Sequence, residues 1–154
     1  MPVILLLALG NGSRGDDGVG VQVGRALAAA LPAGCCPHLE ETVQLLPEHA
    51  EAVARADAVV FLDAAVMGAP GEVHAHRVVG RRAREALLHA LTPEEIVGLA
   101  RLDFGAEPQA LLVTIAGKDF SFVERLSSEV TEAVPAAVAR AVAWLAPHLA
   151  PLAS

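Results

Sequence analysis

Apolar and polar positions fall along this chain in blocks of strand and helix length. Val3 to Leu9 is an unbroken apolar run, as expected of a strand buried on both faces of a parallel sheet. Gly10, Gly12 and Gly15 then punctuate a tight turn. Val19, Val21, Val23, Leu27 and Leu31 set a helical rhythm over 18–31, which Pro32 and Gly34 end. A short, weak strand is expected over 37–43, because Glu40 and Glu41 interrupt it. Leu46 to Arg55 reads as a helix with Pro47 in its first turn.

Ala58 to Leu62 is a second strong buried strand that runs directly into Asp63, and 64–71 reads as a loop. Residues 72–79 alternate polar and apolar, which predicts a half-exposed edge strand. Thr92-Pro93-Glu94-Glu95 is a helix start with Thr92 as cap, and that helix runs to about Phe104 and ends at Gly105. Leu111 to Ala116 is a third buried strand and 117–128 a loop. The last helix spans Glu129 to about Leu145, with Val130, Val134, Val138, Val142 and Leu145 on one face, closed by Pro147 and Pro151. Strands alternating with helices predict an α/β domain over 1–154, a three-layer αβα sandwich on a largely parallel sheet.

Composition narrows the classes. The hydrophobic fraction is 54% but aromatics make up only 3%, so the core is built of Val, Leu, Ile and Ala. A net charge of −7 argues against a nucleic-acid surface and favours small-molecule, metal or protein partners. The opening apolar run lacks the basic flank and cleavage site of a signal peptide, and no run approaches a membrane span. A soluble cytoplasmic protein, with neither membrane nor nucleic acid as partner, is the expectation. Cys35 and Cys36 are adjacent and so form no CxxC-type pair.

In parallel sheets, sites lie beyond the carboxyl ends of the strands. Asp16 and Asp17 follow the first strand and Asp63 the second strong one, so these acids should meet at one edge. Gly10, Gly12 and Gly15 also spell G-x-G-x-x-G between a strand and a helix, with Glu40 and Glu41 available for a ribose contact. That dinucleotide reading requires phosphate at a helix start which here carries two carboxylates, and it stays as the alternative. A plain metal-binding module is another, and a general aminopeptidase-like hydrolase a third. Acids in a first turn also cap helices, so one of the pair can cap while the other points into a cleft.

Asp17 and Asp63 together lack a nitrogen ligand for a metal such as Ni²⁺ or Zn²⁺. His74 and His76, two apart, share one strand face but sit on the edge strand. His38, His49 and His148 read as surface residues. His89, between Leu88 and Leu91, reads as structural on spacing alone. No G-x-S-x-G, H-E-x-x-H or Walker loop is present, and Ser13 has no base near it in sequence.

Leu9-Gly10-Asn11 followed by Arg14-Gly15-Asp16-Asp17-Gly18-Val19-Gly20 resembles the N-terminal signature of the nickel–iron hydrogenase maturation proteases. Val59-Val60-Phe61-Leu62-Asp63-Ala64 resembles that family's strand ending in Asp-Ala. His89-Ala90-Leu91-Thr92-Pro93 resembles its His segment leading into a helix. Gln44 to Glu48 and Gly71 to Val73 also sit where some members have similar residues, so the likeness runs through nearly the whole chain. Ala8 stands where members commonly have glycine, Asp17 is the shorter acid where some have Glu, and Leu88 replaces a small or polar residue.

The resemblance implies an endopeptidase that removes a short C-terminal tail from a hydrogenase large-subunit precursor after nickel loading. It implies Asp17, Asp63 and His89 as the metal-binding trio, with Asp17 and Asp63 also as catalytic candidates. Glu94 is the substitute ligand if His89 points elsewhere. The Ni²⁺ would arrive with the substrate.

Overall fold

The computed structural model describes residues 2–82 and 90–149. Its strands are β1 (Ile4–Leu9), β2 (His38–Thr42), β3 (Ala58–Ala65), β4 (Val73–Arg77) and β5 (Gln109–Ala116). They form one sheet in the order β2-β1-β3-β5-β4. All pairs are parallel except β4 with β5, so β4 is the edge strand the alternation predicted, and it runs antiparallel.

The helices are α1 (Val19–Ala30), α2 (His49–Arg55), α3 (Pro93–Phe104) and α4 (Ser128–Leu149). Helices α1 and α4 cover one face and α2 and α3 the other, giving the expected three layers. Successive β1 side chains feed both cores: Ile4 and Leu6 pack with α1 and α4, Leu5, Leu7 and Leu9 with α2 and α3. That is why the run contains no polar position.

Several boundaries differ from expectation. Strand β3 does not stop at Leu62: Asp63, Ala64 and Ala65 continue the ladder opposite Thr114, Ile115 and Ala116. Asp63 is therefore held by a strand, and the loop begins at Val66. Helix α2 begins at His49, because the chain is still extended at Leu45, which bridges to Leu91. Pro47 sits in a preceding turn whose carbonyl accepts the Ala50 N–H. Weak strand β2 forms because its backbone pairs with β1 from Leu5↔His38 to Leu9↔Thr42.

Helix α4 runs through Pro147 to Leu149. Proline within a helix loses one N–H bond and clashes with the preceding turn, at a cost of about 3 kcal/mol. Buried Leu145 and Leu149, on either side of Pro147, hold that last turn against the core. Its core stripe is Val130, Ala133, Ala137, Ala141, Leu145 and Leu149, so the valines at 134, 138 and 142 lie at its margin. Small alanines let α4 approach α1 and the sheet closely. Thr92 and Glu95 close a full capping box on α3, and the helix ends at Gly105 as predicted, with that glycine in the left-handed conformation.

Candidate functional site

The acidic turn is a 3-10 helix, Gly15–Gly18, between β1 and α1. Gly20, in the first turn of α1, lies against the carbonyl oxygens of both Leu9 and Leu62, where a Cβ would collide. This contact seats the start of α1 directly over the carboxyl ends of β1 and β3. Asp17 precedes that contact by three residues, and Asp63 follows Leu62. The glycine spacing thus serves backbone packing that brings the two acids to the same edge.

Asp17 is half-buried and its Oδ2 accepts the Asn11 N–H at 2.8 Å. Asp63, also half-buried, accepts its neighbour Ala64 N–H at 2.8 Å. Burial drives the Asp63 carboxyl up to about 6; the Ala64 N–H opposes this, and the negative charge of Asp17 adds to it. Two carboxylates within electrostatic reach, one reluctant to ionise, form a centre suited to receiving a cation or handling a proton.

Asp16 departs from expectation. Neither it nor Asp17 caps α1, whose Ncap is Gly18 without a side-chain bond. Asp16 is fully buried, and its Oδ2 accepts the N–H of Lys118 (2.8 Å), the N–H of Asp119 (2.9 Å) and the hydroxyl of Ser127 (2.9 Å). Its Oδ1 accepts the Ser127 N–H at 2.7 Å. Burial alone would raise this carboxyl, but those donors outweigh it and hold it below the usual carboxylate range. Only the sequence's two adjacent acids in so short a turn hinted that one must face inward.

The third expected ligand, His89, lies outside the described residues. Two residues later, Leu91 is buried and its N–H bonds the Leu45 carbonyl, and Thr92 caps α3. Among the described residues, no group of three His, Cys, Asp or Glu is arranged to hold a metal ion. Glu94 turns to His76, 3.8 Å away. His74 lies in register with Thr114, itself opposite Asp63, but its ring bonds Glu72 at 3.0 Å. His74 and His76 therefore face separate carboxylates and do not chelate together.

His49 is not a surface residue. It is buried, its Nδ1 accepts the Leu46 N–H at 2.9 Å, and its Nε2 lies 3.5 Å from Glu40. With Nδ1 serving as acceptor, the neutral ring carries its proton on Nε2, which suits the Glu40 contact and not metal ligation. His38 is exposed as expected, and His148 is half-buried against Trp144 and Gln109.

Most N–H groups of the glycine loop are already engaged. The N–H groups of Asn11, Ser13, Arg14, Gly15, Asp16 and Asp17 all donate within the protein. Glu41, one of the two acids suited to a ribose, is held by Arg25 through two bonds of 2.6 and 2.9 Å. Ser13 Oγ donates to Asn11 Oδ1 at 2.6 Å, an amide oxygen and not a base. A cavity of about 320 Å³ remains beside this loop, lined by Gly10, Gly12, Gln22, Arg25, Glu41 and Val43 among others.

No family model matches the sequence, and no curated protein does. Solved structures do match. The hydrogenase maturating endopeptidase HybD from E. coli is 22% identical, with 95% of this chain and 93% of that chain covered at a TM-score of 0.71. The [NiFe] hydrogenase maturation protease HybD from Thermococcus kodakarensis is 24% identical, covering 90% and 96% at a TM-score of 0.66. An endopeptidase from Escherichia coli solved in solution is 20% identical, covering 93% and 91% at 0.70. At these identities the likeness is one of fold: the chain has the fold of the hydrogenase maturation endopeptidases across nearly its full length.

Proposed function

We propose that this chain belongs to the nickel–iron hydrogenase maturation proteases and removes the C-terminal tail of a nickel-loaded large-subunit precursor. One observation carries the reading. Asp17 and Asp63, from separate elements, meet at the carboxyl edge of a sheet with that fold, and the Asp17 charge acts on Asp63. The motif residues around them supply the rest of the argument, and His89 enters on its place in the sequence.

In this reading nickel is part of the substrate. Two carboxylates and an imidazole supply oxygen and nitrogen ligands of the kind Ni²⁺ accepts, leaving its other positions to the precursor. Docking the substrate's nickel on Asp17, Asp63 and His89 fixes the adjoining scissile bond in the cleft, converting encounter into alignment. Asp17 and Asp63 are also the groups available to take a proton from attacking water, through an oxygen the nickel leaves free. Among the described residues, no helix is long and apolar enough to cross a membrane.

The test is intact mass. A hydrogenase large-subunit precursor from the same genome is incubated with this protein, with and without nickel loading. Loss of a C-terminal tail from the nickel-loaded form alone is the expected result. Unchanged mass in both forms, with the protein folded, overturns the proposal.

A further inference from the structure

The loop between β5 and α4, residues 117–127, has no regular secondary structure. A connection of this length is ordinarily loose. Here it is tied to a single short segment. Asp16 takes the N–H groups of Lys118, Asp119 and Ser127 and the Ser127 hydroxyl. The Gly15 N–H donates to the Val123 carbonyl at 2.7 Å and the Asp16 N–H to the Asp119 carbonyl at 2.8 Å. Arg14 donates to the Phe120 carbonyl through two nitrogens at 3.4 Å. Every one of these bonds ends on residues 14–16, immediately before Asp17.

Despite these ties the loop leaves one of its two phenylalanines in water. Phe122 is 79% exposed, with the Arg14 guanidinium 4.5 Å from its ring centroid. Val66 and Met67, in the loop that follows β3 at the same edge of the sheet, are 78% and 79% exposed. Exposed aromatic, methionine and arginine side chains are the types enriched at protein–protein interfaces, and Arg14 stacks on the Phe122 ring. A small-molecule site would bury such groups around its ligand instead.

We infer that Asp16 is a positioning residue, welding loop 117–127 to the Asp17 turn so that Arg14 and Phe122 stand at the rim of the acidic centre as a docking contact for an apolar stretch of polypeptide. The inference rests on the proposed function and adds how the protein substrate is gripped: the acid pair takes the cation, and the apolar rim takes the chain around it. A free metal ion or a short polar peptide engages only the first of these.

The test is steady-state removal of the tail from the nickel-loaded precursor, with enzyme concentration corrected for the folded fraction. If wild-type protein removes no tail, the proposed function itself fails. If it does, Phe122→Ser should raise KM roughly tenfold with kcat changed less than about twofold, as for loss of an aromatic anchor. Asp16→Asn should raise KM by at least as much. In the folded variant, trypsin should cut after Lys118 and Arg125 roughly tenfold faster than in wild type, since local opening governs such cleavage. Ser127→Ala removes only the hydroxyl bond and should fall between wild type and Asp16→Asn, serving in its place if that variant does not fold. Wild-type KM in both Phe122→Ser and the clamp variant overturns the inference. So does wild-type trypsin resistance in the clamp variant, or a fall in kcat there with KM unchanged.

Discussion

The carboxylate of Asp16 binds Ser127, 111 residues further along, through both its backbone N–H (2.7 Å) and its hydroxyl (2.9 Å). The segments it joins flank the acidic centre, so one buried side chain fixes the relative position of two of its walls. Asp16→Ala strands three backbone donors and should destabilise the protein by about 2–4 kcal/mol, read from urea unfolding. The pH dependence follows from the sign of its shift. Its folded carboxyl is held below the unfolded value, so the stabilisation is complete above that unfolded value, near 4. It is lost as pH falls through the lower folded value. Wild-type stability should therefore drop more than that of Asp16→Ala under strong acid.

Gly20 offers a test of why the glycine-rich stretch exists. A methyl group there meets the carbonyl oxygens of Leu9 and Leu62 with no flexible side chain able to yield. Gly20→Ala must push α1 off the sheet, and the expected cost exceeds about 3 kcal/mol, large for a single methyl. Gly12→Ala is the control, because a Cβ there meets nothing within 4 Å. A phosphate-cradle role would leave the Gly20 collision unchanged and add a ligand dependence at Gly12. Thermal melts of both variants with and without NAD test the two roles.

The architecture was legible because it is written locally. Both faces of β1 are buried, so its run is wholly apolar, and the Thr92 to Glu95 box and Gly105 spell the ends of α3 in single residues. The carboxyl-edge rule then placed Asp17 and Asp63 without any knowledge of their neighbours. What sequence could not supply were partners chosen by tertiary contact. Asp16 and Asp17 are chemically the same, and only the arrival of Lys118, Asp119 and Ser127 makes one a buried anchor. His49 looked like a surface residue until α2 turned it onto Glu40. The stretch from Asp63 to Ala65 reads as loop, yet β5 extends alongside and pairs it.

Among the described residues, the Asp17 carboxylate accepts one hydrogen bond, from the Asn11 N–H at 2.8 Å. An asparagine can accept that bond through its amide oxygen, so Asp17→Asn should fold with stability within about 1 kcal/mol of wild type. In the proposed reaction it removes the charge offered to the substrate's nickel, and tail removal should then fall at least roughly a hundredfold, as for loss of a metal-directed ligand or its orienting partner. The same variant takes away one of the influences raising Asp63, whose carboxyl should then titrate lower. Carbonyl NMR of Asp63 in the two proteins reads that shift directly.

Asp63 sets function against stability. Its folded carboxyl titrates at about 6, above the unfolded value near 3.9, first because it is buried and then because Asp17 is close. A raised carboxyl favours the folded state while protonated. That advantage is full below the unfolded value and disappears as pH climbs through about 6. Above that, the cleft holds an ionised group it disfavours, at a cost of about 2 kcal/mol once water reaching the half-exposed carboxylate is allowed for. Asp63→Asn carries no such charge. It should melt several degrees higher than wild type at pH 7.5 and close to wild type at pH 3.5. In the proposed reaction it should also abolish tail removal, since the amide can neither take the water's proton nor offer charge to the nickel. A variant that is more stable at neutral pH and inactive marks a carboxylate kept for chemistry. Equal melting points at pH 7.5, or full activity, would remove Asp63 from that role.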